Sequence, residues 1–142
     1  MSLKSSLRTL VTLGKGVVQG IPEADEGRDP VELFKEWFHA AGESGILLPE
    51  SMALATATQE GLPSVRMVLL KGIDERGFVF YTNYGSRKAE EMDANPNAAL
   101  CFHWPVLERQ VRVEGRVERV SEEESFRYFS TRARGSRVGA WA

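Results

Sequence analysis

The sequence predicts a mainly β fold, an antiparallel sheet curled into a small barrel with peripheral helices. From Met52 onward, short runs rich in β-branched and aromatic residues follow one another across tight turns. The run from Arg109 to Val120 has a period of two. It places Val111, Val113 and Val117 on one face and Gln110, Arg112, Glu114, Arg116 and Glu118 on the other. Helical patterns intervene between only some of these runs, which indicates antiparallel pairing.

Residues 1–28 read as an N-terminal arm closing in the acidic, turn-like PEADEGRDP, and residues 29–142 as one domain. The first helix starts after Asp29, with Asp29 as N-cap, Pro30 at N1 and Glu32 at N3. Leu33, Phe34, Trp37, Phe38 and Ala41 recur at helical spacing, and Gly42 is the expected terminator. MALATAT, a turn at QEGLP and SVRMVLLK form a hairpin, and IDERG turns into a further strand, FVFYT. A short helix runs from about Ser86 to Asn95, where Pro96 disfavours continuation. AALCFHW is the next strand, and Arg109 to Val120 is the last and the longest. Ser121 and Glu124 make a capping box that opens the helix SEEESFRYFSTR, and a basic tail, RARGSRVGAWA, follows.

Composition excludes several functions. The 142 residues carry a net charge of -2 with 42% hydrophobic and 27% charged residues. No global basic field therefore points to nucleic acid or an anionic membrane. No apolar run approaches the ~18 residues of a membrane span. LRTLVTLGKGVV is interrupted by glycine and lysine and reads as no signal peptide, so the expected compartment is the cytoplasm. The single cysteine, Cys101, rules out a disulfide framework or a cysteine zinc site, and reads as a small buried hydrophobe. His39 and His103 lie on different elements without metal-ligand spacing, so no metal site is expected.

The chemistry concentrates between Arg66 and Lys88. Arg66 and Lys71 sit within apolar sequence, where a charge must be paired, snorkel to solvent or meet a ligand. Their positions have opposite parity, so either a bulge intervenes or they serve different groups. Arg87 and Lys88 follow Ser86 at a helix start, either as a solvated first turn or, since cations there oppose the helix dipole, as the two sides of an anion site. Tyr128, Arg132 and Ser136 recur at intervals of four, as a second phosphate clamp or, for Tyr128, as packing with Phe126 and Phe129.

Three blocks occur in order: RMVLLKGIDERGFVFYTNYGSRK, NPNAALCFHWPVLERQVRVEGRVERV and YFSTRARGSRVGAWA. Over about residues 29 to 142 they make the chain resemble the pyridoxine/pyridoxamine 5′-phosphate oxidase family. The resemblance implies an FMN-binding split barrel, assembled as a homodimer with FMN in clefts between the subunits. It implies FMN contacts from Arg66, Met67, Val68, Leu69, Leu70, Lys71, Tyr81, Thr82, Arg87, Lys88 and Gln110, with Gln110 beside the flavin ring. Substrate phosphate would be held by Lys71, Tyr128, Arg132 and Ser136.

The implied reaction is hydride transfer from C4′ of pyridoxamine or pyridoxine 5′-phosphate to the flavin. Dioxygen is the final acceptor, and the products are pyridoxal 5′-phosphate and hydrogen peroxide. No catalytic base is identified. Family members continue past GAWA with an Arg-Leu-His motif, and their N-terminal arm carries an Arg-x-x-Tyr segment; here no tyrosine precedes Tyr81. These departures support a second reading, a split-barrel flavin-binding protein with lost or altered oxidase activity.

Overall fold

The computed structural model of the chain describes residues 27–74 and 76–131. The expected N-terminal arm lies outside these residues except for its last two. The elements are α1 (Pro30–Glu43), β1 (Ser51–Ala57), β2 (Pro63–Asp74), β3 (Gly77–Phe80), α2 (Arg87–Ala94), β4 (Asn97–Trp104), β5 (Arg109–Arg116) and α3 (Glu122–Thr131). One short 3-10 turn, Pro105–Leu107, joins β4 to β5. The strands form one mostly antiparallel sheet in the order β3-β2-β1-β4-β5. The described residues cluster into two compact units, one combining those up to Ala53 with Leu100–Val113, the other Leu54–Ala99 with those from Glu114 on.

The first unit holds an aromatic core. Asp29 caps α1 as expected, its Oδ1 accepting from the Val31 N–H at 2.9 Å. Glu32 pairs instead with Lys35 at 2.9 Å. Phe34 and Ala41 are buried on the apolar stripe, and Phe34 meets Phe102 at 4.9 Å and Trp104 at 5.8 Å between ring centroids. The Trp104 indole N–H donates to the Pro49 carbonyl at 2.9 Å, satisfying the polar edge of a buried ring. Arg109 is buried too, its guanidinium 4.6 Å from the Trp37 ring centroid. The helix does not stop at Gly42. It continues to Glu43 and is capped by Ser44, whose N–H and hydroxyl both donate to the Ala41 carbonyl. The left-handed position falls at Gly45, φ 83°, so Gly45 takes the role expected of Gly42.

In the second unit, the first turn closes between Thr58 and Leu62, whose backbones bond at 2.9 Å. Gly61, φ 87°, supplies the left-handed residue this three-residue loop requires. β2, with 12 residues, is the longest strand. It pairs antiparallel with β3, with Leu70 opposite Phe80 and Gly72 opposite Val79. Lys71 is therefore the extra residue of a bulge, which frees it from the alternation that governs Arg66.

The last strand is shorter than its pattern suggested. β5 ends at Arg116, because the Val117 N–H donates to the Pro96 carbonyl at 2.7 Å and Arg119 turns to Asp93 on α2. Alternation holds up to Glu114: Val111 and Val113 are half-buried, while Gln110, Arg112 and Glu114 are exposed. Cys101 is half-buried, more open than expected.

Phe102 is fully buried and packs against two aromatic partners of the first unit. Phe102→Ala should lower unfolding stability by about 3–5 kcal/mol. Urea denaturation measures this, and a loss below ~1 kcal/mol would contradict the core described here.

Candidate functional site

The site is built on a polar layer between β1, β2 and α2 within the second unit. β1 alternates so that Met52, Leu54 and Thr56 are buried, which places a hydroxyl on an otherwise apolar face. Across the hairpin, Ser64 and Arg66 share a face of β2, two residues apart. Arg66 Nη1 donates to Thr56 Oγ1 at 2.6 Å and to the Leu54 carbonyl at 3.2 Å, and Nη2 donates to Ser64 Oγ at 2.6 Å. The same two hydroxyls donate onward to Glu91 Oε2, at 2.5 Å from Thr56 and 2.6 Å from Ser64. Each hydroxyl thus accepts from Arg66 and donates to Glu91. The two charges face each other at 3.6 Å, bridged twice.

Glu91 projects from α2, where its other oxygen accepts from Arg87 Nε at 2.8 Å, an i,i+4 pair. It is only 5% exposed, so its charge survives because every contact favours it. Hydrogen bonds from Ser64 and Thr56, followed by Arg87, outweigh its desolvation and lower its pKa from the usual 4.5 to about 2.

Ser86 caps α2, its hydroxyl donating to the Asn83 carbonyl at 2.7 Å and accepting from the Ala89 N–H at 3.4 Å. Thr82 Oγ1 lies 3.4 Å from Ser86 Oγ, at the same end of the helix. Lys88 is half-buried there. Burial first, and the nearby Arg66 charge second, pull its ammonium below the ordinary lysine value. Among the described residues it has no carboxylate partner, and Glu91 is the one carboxylate bonded to Arg66 and Arg87. Three cations and a helix N-terminus set against Glu91 and the exposed Glu90 of the first turn still leave an excess of positive charge. Chemically, this arrangement suits an anion with several oxygens.

A second cluster surrounds an open cavity of about 500 Å³ lined by Lys71, Asp74, Tyr81, Glu124, Arg127 and Tyr128, among others. Tyr128 stacks face to face on Tyr81, with centroids 3.9 Å apart and planes 7° from parallel, while Phe126 stays exposed. Lys71 Nζ lies 5.6 Å from the Tyr128 centroid. The Tyr81 hydroxyl donates to Glu124 at 3.3 Å, and its pKa is raised, first by burial and then by the Glu124 charge. Arg76 bridges Glu124 and Asp74 through several hydrogen bonds, which hold both carboxyls below their usual range. Ser121 caps α3 through the Glu124 N–H at 3.2 Å, but the Glu124 side chain goes to Arg76 and Tyr81 rather than back to the cap.

The expected site residues are therefore sorted. Arg66, Arg87 and Lys88 come together at α2 with Thr82 beside them, whereas Lys71 joins Tyr81 and Tyr128. Met67 is exposed, Val68 and Leu69 are half-buried and Leu70 is buried along β2. Gln110 is exposed on β5, in the first unit. Arg132 and Ser136 lie outside the described residues. Thr56, Ser64 and Glu91 were not anticipated, although each left a signal. Thr56 falls on the buried parity of β1, Ser64 stands two before Arg66, and Glu91 stands four after Arg87.

Residues 38–142 match the model of the pyridoxamine 5′-phosphate oxidase family. A relative named pyridoxine/pyridoxamine 5′-phosphate oxidase from Psychromonas ingrahamii is 56% identical over 142 residues, covering all of this chain and 65% of the relative. Another of that name, from Rubrobacter xylanophilus, is 59% identical over 123 residues, covering 87% of this chain and 57% of the relative. The chain thus spans under two thirds of the length of these relatives.

Among solved structures, PhzG from Burkholderia lata 383, in complex with tetrahydrophenazine-1-carboxylic acid, is similar with a TM-score of 0.79 at 29% identity. That match covers 84% of this chain and 60% of PhzG. A pyridoxamine 5′-phosphate oxidase-related, FMN binding protein from Nostoc punctiforme has a TM-score of 0.62 at 19% identity, covering 80% of this chain and 63% of that one, a likeness of fold. The fold is that of the split barrels.

Because the folded-state pKa of Glu91 lies below its ordinary value of 4.5, its contribution to stability is complete above that value and disappears as pH falls toward about 2. Urea midpoints measured from about pH 5 down to about pH 3 should fall more steeply in the wild type than in Glu91→Gln. Parallel curves would show that Glu91 is not held as described.

Proposed function

Because the chain belongs to the pyridoxamine 5′-phosphate oxidase family, we propose that it carries out FMN-dependent oxidation of pyridoxamine or pyridoxine 5′-phosphate in the cytoplasm. Dioxygen would be the acceptor, and the products pyridoxal 5′-phosphate and hydrogen peroxide. The observation that carries the reading is the uncompensated positive charge at the start of α2. Lys88 is half-buried without a carboxylate, and Arg87 commits only its Nε to Glu91 among the described residues. A phosphate ester is the anion such a donor set fits.

In this reading Arg87 and Lys88 bind the FMN phosphate, with Arg66 behind them and Thr82 beside the helix cap. The backbone from Arg66 to Lys71 and Tyr81 border the cofactor, and Gln110 hydrogen-bonds the flavin ring. Bound FMN supplies a two-electron acceptor for oxidation at C4′ of the substrate. Lys71 and Tyr128 hold the substrate phosphate together with Arg132 and Ser136. Lys71 is exposed and stands at a bulge beside the cavity, so its ammonium reaches a ligand without the desolvation that burdens Lys88. The Tyr81–Tyr128 stack gives that cavity an aromatic wall, and orientation by such walls and phosphate anchors is the protein's contribution to rate.

The working unit in this reading is a homodimer with FMN at the subunit interface. Leu62, Val65 and Met67 support it: all are large, apolar and at least 64% exposed along one short stretch. A monomer by sedimentation would count against the shared cleft.

The protein incubated with FMN should retain it through gel filtration, and Arg87→Ala or Lys88→Ala should weaken that retention about tenfold. Arg132→Ala should instead raise the apparent KM for pyridoxamine 5′-phosphate. Release of flavin by Arg132→Ala with KM unchanged would reverse the two assignments. FMN binding without formation of pyridoxal 5′-phosphate or peroxide would leave a flavin-binding protein lacking oxidase activity.

A further inference from the structure

We propose that Glu91 is a positioning residue for the phosphate site, orienting Arg66 and Arg87 through a buried layer that includes the hydroxyls of Thr56 and Ser64. This inference rests on the reading that Arg87 and Lys88 bind the FMN phosphate, and it concerns what sets their geometry. Glu91 has the same sign of charge as phosphate, so it is no ligand for it, and by Coulomb's law alone its presence there weakens anion binding. A buried carboxylate beside an anion site therefore needs a compensating role.

The bonding pattern supplies one. Glu91 takes the inner nitrogen of Arg87, Nε, at 2.8 Å, which fixes the plane of the guanidinium. Among the described residues the two terminal nitrogens of Arg87 stay uncommitted, the pair that grips a phosphate as a fork. Arg66 is held more completely. Its Nη1 donates to the Leu54 carbonyl and Thr56, its Nη2 donates to Ser64, and both hydroxyls are turned by their own bonds to Glu91. Each of these hydroxyls has one proton. Donating it to Glu91 leaves only lone pairs for Arg66, so the carboxylate dictates the direction of the whole layer. Thr56 is 3% exposed and Glu91 5%, so water does not readily replace either bond.

Charge and orientation have opposite effects on phosphate affinity, and variants that keep every charge separate them. Glu91→Asp preserves the charge but shortens its reach by one methylene. The double variant Thr56→Val, Ser64→Ala removes both hydroxyls and leaves all four charged residues in place. The readout is the ratio of riboflavin to FMN dissociation constants, measured by fluorescence quenching on the full chain. The two ligands differ only in the phosphate, so the ratio reports the phosphate site and needs no turnover.

Each variant should lower this ratio about tenfold, the scale of one charge-assisted hydrogen bond, while riboflavin affinity stays within about twofold. A general loss of structure would weaken both ligands together and leave the ratio unchanged. A wild-type ratio in either variant, with its fold intact by circular dichroism, overturns the proposal. Ser64→Ala alone removes one hydroxyl from a half-buried position and provides a folded test should the double variant unfold; its ratio should fall in the same direction. A wild-type protein that binds riboflavin as tightly as FMN would overturn instead the phosphate assignment beneath the proposal.

Discussion

The constraint on which the second unit depends is the burial of a single carboxylate. An ionised group removed from water must be met by donors on every side, and Glu91 is met by two hydroxyls and two guanidiniums. These partners come from β1, β2 and α2, so satisfying one charge fixes three elements. The position of the α2 N-terminus follows, as do the cap at Ser86 and the place where Lys88 is half-buried. A hydrophobic residue at 91 could pack there. It would leave Thr56 and Ser64 without an acceptor and Arg66 without a countercharge, so the layer stands or falls as a unit.

α3 is attached by a different kind of contact. Arg76 grips Glu124, Tyr84 lies within hydrogen-bond distance of Ser125 at 3.0 Å, and Tyr81 stacks on Tyr128. The ion pair is exposed, and exposed pairs contribute little to stability. The stacked rings therefore contribute more to the attachment than that pair does. The same rings line the cavity beside Lys71, so the contact that holds the helix also forms a wall of the proposed substrate site. The two expected clamps meet at this stack, because Tyr81 was expected on the cofactor and Tyr128 on the substrate.

Much of this was legible in the residues. The Asp29 cap, the hairpin turn, the helix opened by Ser86 and the cap at Ser121 each rest on local chemistry, which a sequence displays directly. The ends of elements were less legible because tertiary bonds decide them. α1 passes through Gly42 because Ser44 can cap it, and β5 stops at Arg116 because Val117 bonds to Pro96. In the site, Arg66, Lys71, Arg87 and Lys88 stood out as cations in unexpected surroundings. Thr56 and Ser64 did not, since a hydroxyl in a strand looks ordinary until its partners 35 and 27 residues away are known. The opposed parity of Arg66 and Lys71 was visible, and a bulge was one of two explanations; the pairing of Leu70 and Gly72 with β3 supplies it.

The central claim is that the start of α2 binds the phosphate of FMN. A crystal structure of the full chain with FMN tests it most directly. The account predicts phosphate oxygens within hydrogen-bond distance of Arg87 and Lys88, with Glu91 still bonded to Thr56, Ser64 and Arg87. A phosphate bound elsewhere, with Arg87 and Lys88 in contact only with solvent, would contradict it.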